Sequence, residues 1–432
     1  MIVSINPERN EWSDLTKRPA LQQQDLQEVV QEVFMAIIDE GDHAVRDYTA
    51  KFDQAKIDRL SASADEVAFS GSKISDQLKS AIKLAAHNIE KFHAAQKPEI
   101  VRVETAPGVN CWQEGRPIQK VGIYIPGGTA PLFSTVLMLA IPARLAGCEE
   151  IILCTPPDKN GQVNPAILFA AQYAGVQKIF KVGGIQAIGA MTFGTESIPS
   201  VDKIFGPGNQ YVTAAKQQAT QVGVAIDMPA GPSELLVLAD KSSRPDFVVS
   251  DLLSQAEHGV DSQVICVVKD QSLIEPIQQE LESQLAVLPR KEFAEQAIAN
   301  SKIVCLEKDQ DCIDFINRYA PEHFILCVEN EDFFLNNLKS AGSVFIGNYT
   351  PESAGDYASG TNHTLPTNGY AKSYSGVNLD AFMKKITFQK ISEEGIKKIG
   401  PAIEIMAEAE LLEAHKNAVT KRLEYLKKQN LE

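Results

Sequence analysis

Two stretches near the start of the chain carry apolar side chains at helical spacing. The first runs from Leu26 to Ile38 and stops before Gly41, and the second runs from Leu78 to Phe92. Because residues three and four positions apart share one face of a helix, each stretch predicts an amphipathic helix. Short apolar segments on either side of Pro107 and Gly108 then predict a β-hairpin.

From Val121 onward the pattern changes to short apolar strands that alternate with helical stretches. The alternation continues to about residue 205 and resumes between residues 235 and 306. This pattern is typical of βαβ units, so the sequence predicts an α/β fold with two doubly wound parallel units. From about residue 379 the pattern is helical and charged, which predicts a C-terminal tail that packs on another element, such as a second subunit.

Composition restricts the class of protein. The 432 residues suffice for about three structural units, and the contents of 44% apolar and 22% charged residues are those of an ordinary globular protein. Largely disordered and low-complexity classes are therefore excluded. The net charge of −15 would repel phosphate backbones and anionic membrane surfaces. We therefore expect neither nucleic acid nor a membrane as a partner.

The apolar segments and the cysteines predict a cytoplasmic location. The longest apolar stretch, Thr135 to Cys148, is interrupted by Pro142 and Arg144 and is shorter than the roughly 20 residues that cross a bilayer. The first residues lack the basic region and apolar core of a secretory signal. The seven cysteines are odd in number and form no CxxC pair, so they indicate neither a disulfide framework nor a cysteine zinc site.

Three glycine-bearing loops each follow a predicted strand: Pro126–Gly128, Val182–Gly184 and Gly206–Asn209. In open α/β sheets, ligands bind outside the carboxyl ends of the strands, so these loops are expected at one edge. Backbone N–H groups and helix N-termini there suit a nucleotide phosphate. No GxGxxG is present, and a simple tight turn remains an alternative for each loop.

Two pairs of polar residues have spacings that suit chemistry. Gln255 and His258 lie three residues apart near a predicted helix end, where they suit two ligands of one metal or a favourable helix cap. Glu322 and His323 follow Pro321 and offer two bases of different strength. A surface turn is the alternative for the second pair.

The run from Asn348 to Tyr370 shows neither helical nor strand periodicity and is rich in Gly, Pro, Ser, Thr and Asn. Because so long a loop in a compact domain is usually functional, its Asp356 and His363 are candidates for zinc binding or for contacts with a polar ligand. Glu410 and His415 lie on the tail helix, either on a solvated face or on an arm that reaches another site.

Seven strings then identify a resemblance that covers essentially the whole chain. The sequence closely resembles the histidinol dehydrogenase family through VGIYIPGGTAPLFSTVLMLAIPARLAGC, IFGPGNQYVTAAK, IDMPAGPSELLVLAD, SDLLSQAEHG, PEHF, ESAGDYASGTNHTLPT and AEAELLEAHKNAV. The resemblance implies two incomplete Rossmann-like doubly wound units plus a helical C-terminal tail in an intertwined homodimer. It also implies a zinc-containing enzyme that oxidises L-histidinol through L-histidinaldehyde to L-histidine in two NAD-dependent steps, the last of histidine biosynthesis.

The resemblance assigns roles to particular residues. It implies that Glu322 and His323 are the proton-transfer pair, with His323 as the base in alcohol oxidation and Glu322 activating water in the aldehyde step. The implied zinc ligands are Gln255, His258 and Asp356 of one subunit and His415 of the other. The implied substrate contacts are Ser233, Gln255, His258, His323, Asp356, His363, Glu410 and His415. The implied NAD contacts are Tyr124, Gln186 and Asn209.

The same resemblance implies a division into domains. Residues 1–20 form a segment that packs with the tail, residues 21–120 and 234–378 form a first α/β domain with the zinc and catalytic residues, residues 121–233 form the NAD-binding domain, and residues 379–432 form the helical tail that reaches the partner subunit.

Three other functions remain to be compared with this one. A related dehydrogenase for another polar alcohol would share the NAD loops and the zinc ligands, but Glu322, His363 and Glu410 together favour histidinol. A zinc hydrolase that uses Glu322 as its base would act without NAD and would leave the three glycine loops unexplained. A non-catalytic scaffold would make the base, metal and substrate positions coincidental.

Overall fold

The computed structural model describes residues 1–18, 24–127, 130–229 and 231–429, without the side chains of residues 24 and 25. It divides into two compact units. The larger unit contains residues 1–96 and 118–382, and the smaller unit contains residues 97–117 and 383–432.

Fourteen strands lie within the described residues. They are β1 (Ile2–Ile5), β2 (Val101–Ala106), β3 (Val109–Pro117), β4 (Lys120–Tyr124), β5 (Glu150–Thr155), β6 (Lys178–Lys181), β7 (Lys203–Phe205), β8 (Ala225–Ile226), β9 (Glu234–Ala239), β10 (Gln263–Val268), β11 (Lys302–Cys305), β12 (His323–Cys327), β13 (Ser343–Ile346) and β14 (Met383–Ile391).

Seventeen α-helices accompany the strands in the described part of the chain. They are α1 (Trp12–Leu15), α2 (Gln24–Glu40), α3 (Asp42–Phe52), α4 (Ala64–Ala68), α5 (Asp76–Ala94), α6 (Phe133–Ala146), α7 (Pro165–Ala174), α8 (Gly184–Phe193), α9 (Gln210–Gln221), α10 (Pro245–Ala256), α11 (Ile274–Val287), α12 (Lys291–Ala299), α13 (Asp309–Tyr319), α14 (Glu331–Asn337), α15 (Glu352–Tyr357), α16 (Glu393–Ala409) and α17 (Glu413–Gln429).

A six-stranded parallel sheet forms half of the larger unit, in the order β1-β11-β10-β9-β12-β13. Its central strands β9 and β10 are buried along their whole length, as their unbroken apolar runs require. Helices α10, α11 and α12 cover one face, and α13 and α14 with Trp12 cover the other. Because all six strands are parallel, their amino ends lie at one edge of the sheet and their carboxyl ends lie at the opposite edge.

A five-stranded parallel sheet forms the other half, in the order β6-β5-β4-β7-β8. Helices α5, α6 and α7 pack on one face, and α2, α3, α8 and α9 pack on the other. Close contact of α2 with α8 depends on Gly189, because a Cβ there would lie 2.6 Å from Cδ1 of Ile37. The described packing thus puts residues 24–94 on this sheet, whereas the predicted boundaries group residues 21–120 with 234–378. The domain division itself stays a prediction.

The α/β fold predicted from the alternating pattern is confirmed, and the hairpin predicted around Pro107 and Gly108 is formed by β2 and β3. Two local expectations are wrong. The predicted helical tail starts with a short 3₁₀ turn at Leu379–Phe382 and continues as the nine-residue strand β14, which pairs antiparallel with β3 along its whole length. The run predicted to lack regular structure contains the helix α15.

The smaller unit consists of the antiparallel sheet β14-β3-β2 and the helices α16 and α17. The two helices pack where Gly400 meets Val419 and Leu423, since a Cβ on Gly400 would lie only 3.0 Å from Leu423. Ile405, Met406 and Leu411 of this unit are exposed. None of the helices that the structure describes combines the length and apolar content needed to cross a membrane.

Candidate active site

A cleft of about 1120 Å³ lies in the larger unit between the edges of the two parallel sheets. The five-stranded sheet contributes the carboxyl ends of its strands, where Tyr124 ends β4 and Gly206 follows β7. The six-stranded sheet contributes the amino ends of its strands, where Glu234 begins β9 and His323 begins β12. The cleft is thus lined by opposite ends of two sheets.

The glycine loops predicted to bind a phosphate lie at the carboxyl edge of the five-stranded sheet. Asn209 is the N-cap of α9, and its Oδ1 accepts the N–H groups of Tyr211 and Val212 at 3.1 Å. The N–H of Gly184, the first residue of α8, donates to Oη of Tyr124 at 3.1 Å. Tyr124 and Asn209 both line the cleft. Gly128 of the first loop lies outside the described residues.

A buried ion pair fixes the loop at Gly206. Lys216 pairs with Asp227, and both side chains are almost completely buried. The ammonium group of Lys216 donates to the carbonyl oxygen of Gly206 at 2.8 Å, and Oδ2 of Asp227 accepts the N–H of Gly206 at 2.8 Å. Gly206 has a φ of 131°, and a Cβ there would lie 2.0 Å from the carbonyl oxygen of Tyr124. Only glycine therefore fits this close approach.

A second cavity of about 1280 Å³ adjoins the first and shares Tyr124, Pro126, Gly127 and Asn209 with it. Gln186, the third predicted NAD contact, lines this second cavity and donates from Nε2 to Oδ2 of Asp53 at 3.3 Å. Burial raises the pKa of Asp53 to about 6. The sequence reasoning missed Asp53, because it lies after α3 in no recognisable motif.

Glu322 and His323, which we call the catalytic pair, are buried at the start of β12 rather than placed on a surface turn. Oε2 of Glu322 accepts the backbone N–H of Glu234 at 2.8 Å. Nδ1 of His323 lies 3.3 Å from the backbone carbonyl oxygen of Glu234. In the described part of the chain, Nε2 of His323 has no hydrogen-bond partner, so it is available to a bound ligand.

Three carboxylates surround the imidazole of His323. Oε1 of Glu352 and Oε2 of Glu322 lie 3.6 and 3.7 Å from Nδ1, and Oδ1 of Asp356 lies 3.6 Å from Nε2. Burial lowers the pKa of His323, but the negative charges of Glu352, Glu322 and Asp356 outweigh burial and raise it to about 10. Burial also raises the pKa of Glu322 to about 8. The cluster therefore holds protons that a bound cation would redistribute.

Gln255 and His258 meet at the end of α10 as their spacing predicts. Nε2 of Gln255 lies 3.2 Å from Nδ1 of His258, and Oε1 of Gln255 is buried with no partner among the described residues. The ring of His258 is open to the cleft, yet desolvation by the cleft walls lowers its pKa. A neutral imidazole suits a metal ligand better than a charged helix cap. This pair therefore favours the metal alternative.

Asp356 and His363 join the same cleft from the segment after β13. Nδ1 of His363 lies 2.9 Å from the backbone carbonyl oxygen of Asp356, and its Nε2 lies 3.0 Å from Oγ1 of Thr135. Burial tends to raise the pKa of Asp356, but the nearby imidazole of His323, whose Nε2 lies 3.6 Å from Oδ1, lowers it. Asp356 is therefore ionised at neutral pH, as a metal ligand must be.

Glu352 is a site residue that the sequence reasoning missed. One nitrogen of His323 and one carboxylate oxygen each of Glu352 and Asp356 lie within 4.8 Å of one another, so these three side chains also could hold a cation. Glu352 and Asp356 are four residues apart on α15 and therefore share a face of that helix. Recognising this helix within the Gly- and Ser-rich run would have revealed the pair.

Ser233, a predicted substrate contact, precedes β9 and lines the cleft. Glu410 and His415 lie instead in the smaller unit, where Glu410 follows α16 as its C-cap and His415 lies in the first turn of α17. Both are exposed within the chain that the structure describes. The predicted site residues that line the cleft are Tyr124, Asn209, Ser233, His258, Glu322, His323, Asp356 and His363. The buried Gln255 contacts His258, and Gln186 lines the adjoining cavity.

Comparisons with known proteins agree on one family. The family model described as histidinol dehydrogenase matches residues 16–423. The chain is 58% identical over 421 residues to the histidinol dehydrogenase of Bacteroides thetaiotaomicron, covering 98% of each chain, and 52% identical over 418 residues to that of Escherichia coli O6:H1, covering 96% of this chain and 95% of the relative. The crystal structure of histidinol dehydrogenase from Elizabethkingia anophelis superposes with a TM-score of 0.97 at 58% identity and covers 99% of both chains.

Proposed function

Since the chain belongs to the histidinol dehydrogenase family, we propose that it oxidises L-histidinol through L-histidinaldehyde to L-histidine in two NAD-dependent hydride transfers, with zinc as its metal. The observation that carries this proposal is the catalytic pair. A buried imidazole, whose Nε2 has no hydrogen-bond partner among the described residues, and an adjacent buried carboxyl group line the same cleft as the glycine loops. Two bases beside one cofactor site suit two oxidations of one carbon.

The residues present fit a zinc ion. Gln255, His258 and Asp356 offer nitrogen and oxygen donors, and the buried Oε1 of Gln255 has no partner within the described residues. His415 from a second copy of the chain would complete the set. When bound, zinc supplies positive charge that orients the imidazole and amino groups of histidinol and offsets the carboxylates around His323.

His323 serves as the base of the alcohol step. A carbonyl oxygen can only accept a hydrogen bond, so the contact with Glu234 places the proton of the neutral ring on Nδ1 and leaves the lone pair on Nε2. Nε2 takes the hydroxyl proton while the carbinol hydride passes to the nicotinamide, which gives the aldehyde, NADH and one proton. A well-placed general base contributes about 10² to 10⁴ in rate.

Glu322 serves in the aldehyde step. Its carboxylate takes a proton from water as the water oxygen bonds to the aldehyde carbon, and the resulting hydrate gives a second hydride to a second NAD. The products are the carboxylate, NADH and two protons. Burial keeps Glu322 out of bulk water, and the N–H of Glu234 holds one of its oxygens. Its other oxygen is left to contact the water.

The cofactor is proposed to bind along the carboxyl edge of the five-stranded sheet. Tyr124 and Asn209 line the cleft, and Gln186 lines the cavity that adjoins it. The N-termini of α8 and α9 begin at this edge, where their partial positive charge suits a pyrophosphate. This arrangement supports NAD binding without the GxGxxG motif.

The composite homodimer and the cytoplasmic location are part of the same proposal. The exposed Ile405, Met406 and Leu411 of the smaller unit support burial against a second copy of the chain. The proposed ligand His415 lies in the same unit. All seven cysteines are free thiols, as suits a reducing compartment. Glu410 and His363 would contact the polar ends of histidinol.

The first test is the stoichiometry of NADH. We expect the zinc-loaded protein to release two NADH for each L-histidinol consumed, because both oxidations occur before release of the product. Protein treated with a chelator serves as the control and should regain activity on addition of zinc. One NADH per histidinol would limit the reaction to the alcohol step. No NADH, with zinc confirmed bound, would contradict the proposal.

The second test addresses the composite site. Subunits with His258→Ala and subunits with His415→Ala should each be inactive, and mixing them should restore about a quarter to a half of the wild-type activity per dimer formed, since a mixed dimer retains one intact site. Subunit exchange is confirmed with differently tagged chains. Exchange without recovery of activity would mean that each site is made within one chain.

A further inference from the structure

Glu234 is the first residue of β9, and its backbone N–H and carbonyl groups contact both members of the catalytic pair. Its N–H donates to Oε2 of Glu322 at 2.8 Å, and its carbonyl oxygen faces Nδ1 of His323 at 3.3 Å. The first contact orients the carboxyl group, and the second selects the ring tautomer with a free Nε2. A shift of this backbone would therefore disturb both groups at once.

The side chain of Glu234 is held by Arg18. The guanidinium group donates from Nε to Oε1 at 2.5 Å and from Nη2 to Oε2 at 2.7 Å. The same Nη2 donates to the backbone carbonyl oxygen of Tyr319 at 2.7 Å, and the guanidinium carbon lies 4.1 Å from the centre of the Tyr319 ring. A two-point contact of a planar cation fixes a carboxylate more closely than a point charge does.

Arg18 is itself held at the amino edge of the same sheet. Lys302, which begins β11, donates to the carbonyl oxygen of Leu15 at 2.8 Å. Gln263, which begins β10, donates to the carbonyl oxygen of Lys17 at 3.1 Å and accepts the hydroxyl of Tyr319 at 3.0 Å. The segment before Arg18 is thus anchored to two neighbouring strand starts.

The same carboxylate also reaches the loop that carries His363. Oε1 of Glu234 accepts the backbone N–H of Asn368 at 2.7 Å. Thr367, the preceding residue, contacts the N–H of Gly231 through its hydroxyl group. The ion pair of Arg18 with Glu234 therefore joins the N-terminal segment, the catalytic pair and the loop after α15.

Stability alone is a weak reason for such an ion pair. The side chain of Glu234 is 3% exposed and that of Arg18 is 16% exposed. Removing two charges from water costs about as much as their attraction returns, and apolar replacements are often equally stable. What the pair provides is a single orientation of the backbone at Glu234.

We propose that Arg18 is a positioning residue for the oxidation, which acts through Glu234 to fix the tautomer of His323 and the orientation of Glu322. This inference rests on the proposed function for its kinetic consequences. The contacts that carry it lie in the larger unit and need neither the metal nor a second copy of the chain.

The test compares Arg18→Lys with the wild-type enzyme loaded with zinc. Lysine keeps the charge but loses the two-point contact, so we expect kcat for histidinol to fall about 10- to 100-fold, as small misplacements of catalytic groups do. The KM for NAD should stay within about twofold, because the cofactor edge belongs to the other sheet. The primary deuterium isotope effect with histidinol labelled at the carbinol carbon should rise, since hydride transfer then limits the rate.

A spectroscopic measurement separates positioning from general stability. With ¹⁵N-labelled histidine and NAD-free protein, the N–H at Nδ1 of His323 should give one narrow resonance in the wild type, where it donates to the carbonyl oxygen of Glu234, and a broadened or shifted resonance in Arg18→Lys. The resonance is assigned by its loss in His323→Asn, which is feasible because the chain has seven histidines. This readout does not depend on turnover.

Two further variants provide controls. Arg9 lies in the same N-terminal segment and pairs with Asp311 and Asp314 at 2.7 Å on the surface, so Arg9→Lys should leave kcat and the ¹⁵N spectrum unchanged. The double variant Arg18→Gln with Glu234→Gln removes both charges and should fold while remaining slow.

The outcomes distinguish the two proposals. A folded Arg18→Lys variant with wild-type kcat and an unchanged His323 resonance would overturn the positioning role. An inactive wild-type protein would overturn the proposed function, while the ¹⁵N spectra of wild type and Arg18→Lys would still decide whether Arg18 fixes the ring.

Discussion

The two parallel sheets of the larger unit present opposite ends to the cleft. The five-stranded sheet uses the carboxyl ends of β4 and β7, as the general rule for open α/β sheets predicts, and Gly184 in the loop after β6 lines the adjoining cavity. The six-stranded sheet uses the amino ends of β9 and β12, where Ser233 and the catalytic pair lie. The rule therefore locates the edge where we propose that the cofactor binds, which we call the cofactor edge, and fails to locate the edge with the proposed proton-transfer residues, which we call the catalytic edge.

Helix ends explain what this reversal achieves. The carboxyl edge of the five-stranded sheet presents the N-termini of α8 and α9, whose partial positive charge favours an anion such as pyrophosphate. The amino edge of the six-stranded sheet presents the C-termini of α10 and α13, whose partial negative charge favours a cation. One wall of the site thus favours an anion and the other favours a cation, as the proposed binding of a dinucleotide, a metal and a substrate amine requires.

The largest expected effect comes from the catalytic edge. In His323→Asn we expect kcat for histidinol to fall by about 10² to 10⁴, because we propose Nε2 as the acceptor of the hydroxyl proton. The dissociation constant for NAD, measured by fluorescence titration, should remain within about twofold. Steady-state and single-turnover NADH formation measure the loss in kcat.

Asn209→Ala is the matched variant at the cofactor edge. It removes the N-cap of α9, which costs about 1 kcal/mol, and should raise the KM for NAD while leaving kcat nearly unchanged. A fall in kcat as large as that of His323→Asn would contradict our inference that one edge binds the cofactor and the other carries out proton transfer.

An intermediate effect is expected from Gly206→Ala. Alanine is strained at a φ of 131°, and its Cβ would lie 2.0 Å from the carbonyl oxygen of Tyr124, so the free energy of unfolding should fall by at least about 2 kcal/mol. The KM for NAD should rise because Asn209 lies on the same loop. Gly223→Ala is the control, since Gly223 also has a positive φ but a Cβ there would meet no atom of the described residues within 4 Å.

For Gly206→Ala, urea unfolding measures stability and an NAD titration measures the KM. If both glycine variants lose the same stability, strain of the backbone alone accounts for the loss and the close approach to Tyr124 contributes nothing. If Gly206→Ala keeps the wild-type KM for NAD, the loop does not hold the cofactor.

The same comparison shows what the sequence can and cannot reveal. The glycine loops were found because each follows an apolar strand, and Gln255 with His258 because helical spacing is a local property. The catalytic edge cannot be predicted in this way. Residues that precede a strand face a cleft only if a distant sheet packs nearby, and no local pattern shows that packing. Glu352 was missed since α15 is only six residues long, and β14 because its lysines hide the alternation of Ile386 and Phe388.

Long-range packing also decided where the first helices belong. The apolar stripe of α2 is plain in the sequence, but nothing local indicates that it packs on α8 rather than on the six-stranded sheet. Arg18 shows no motif at all, and its role emerges only from contacts with Glu234 and Tyr319. The sequence therefore predicts which residues share a face of one helix or strand, but it does not predict contacts between distant elements.

The smallest expected effect concerns an acid at the cofactor edge. Burial raises the pKa of Asp53 to about 6, above the ordinary value of 3.8, so the folded state favours its protonated form. Ionisation of Asp53 therefore lowers stability as the pH rises from about 4 to about 6, and the penalty persists above that range. Asp53→Asn should have a melting temperature close to that of the wild type at pH 4 and a higher one at pH 7.

Asp42→Asn should show the opposite sign, because hydrogen bonds from Ser197 and Thr195 outweigh burial and lower the pKa of Asp42. Melting curves of cofactor-free protein across this range measure both, and an equal pH dependence in Asp53→Asn and the wild type would show that Asp53 is not buried as a charge. In that case burial would change the pKa of a carboxyl group at the catalytic edge, as for Glu322, but not of Asp53 at the cofactor edge.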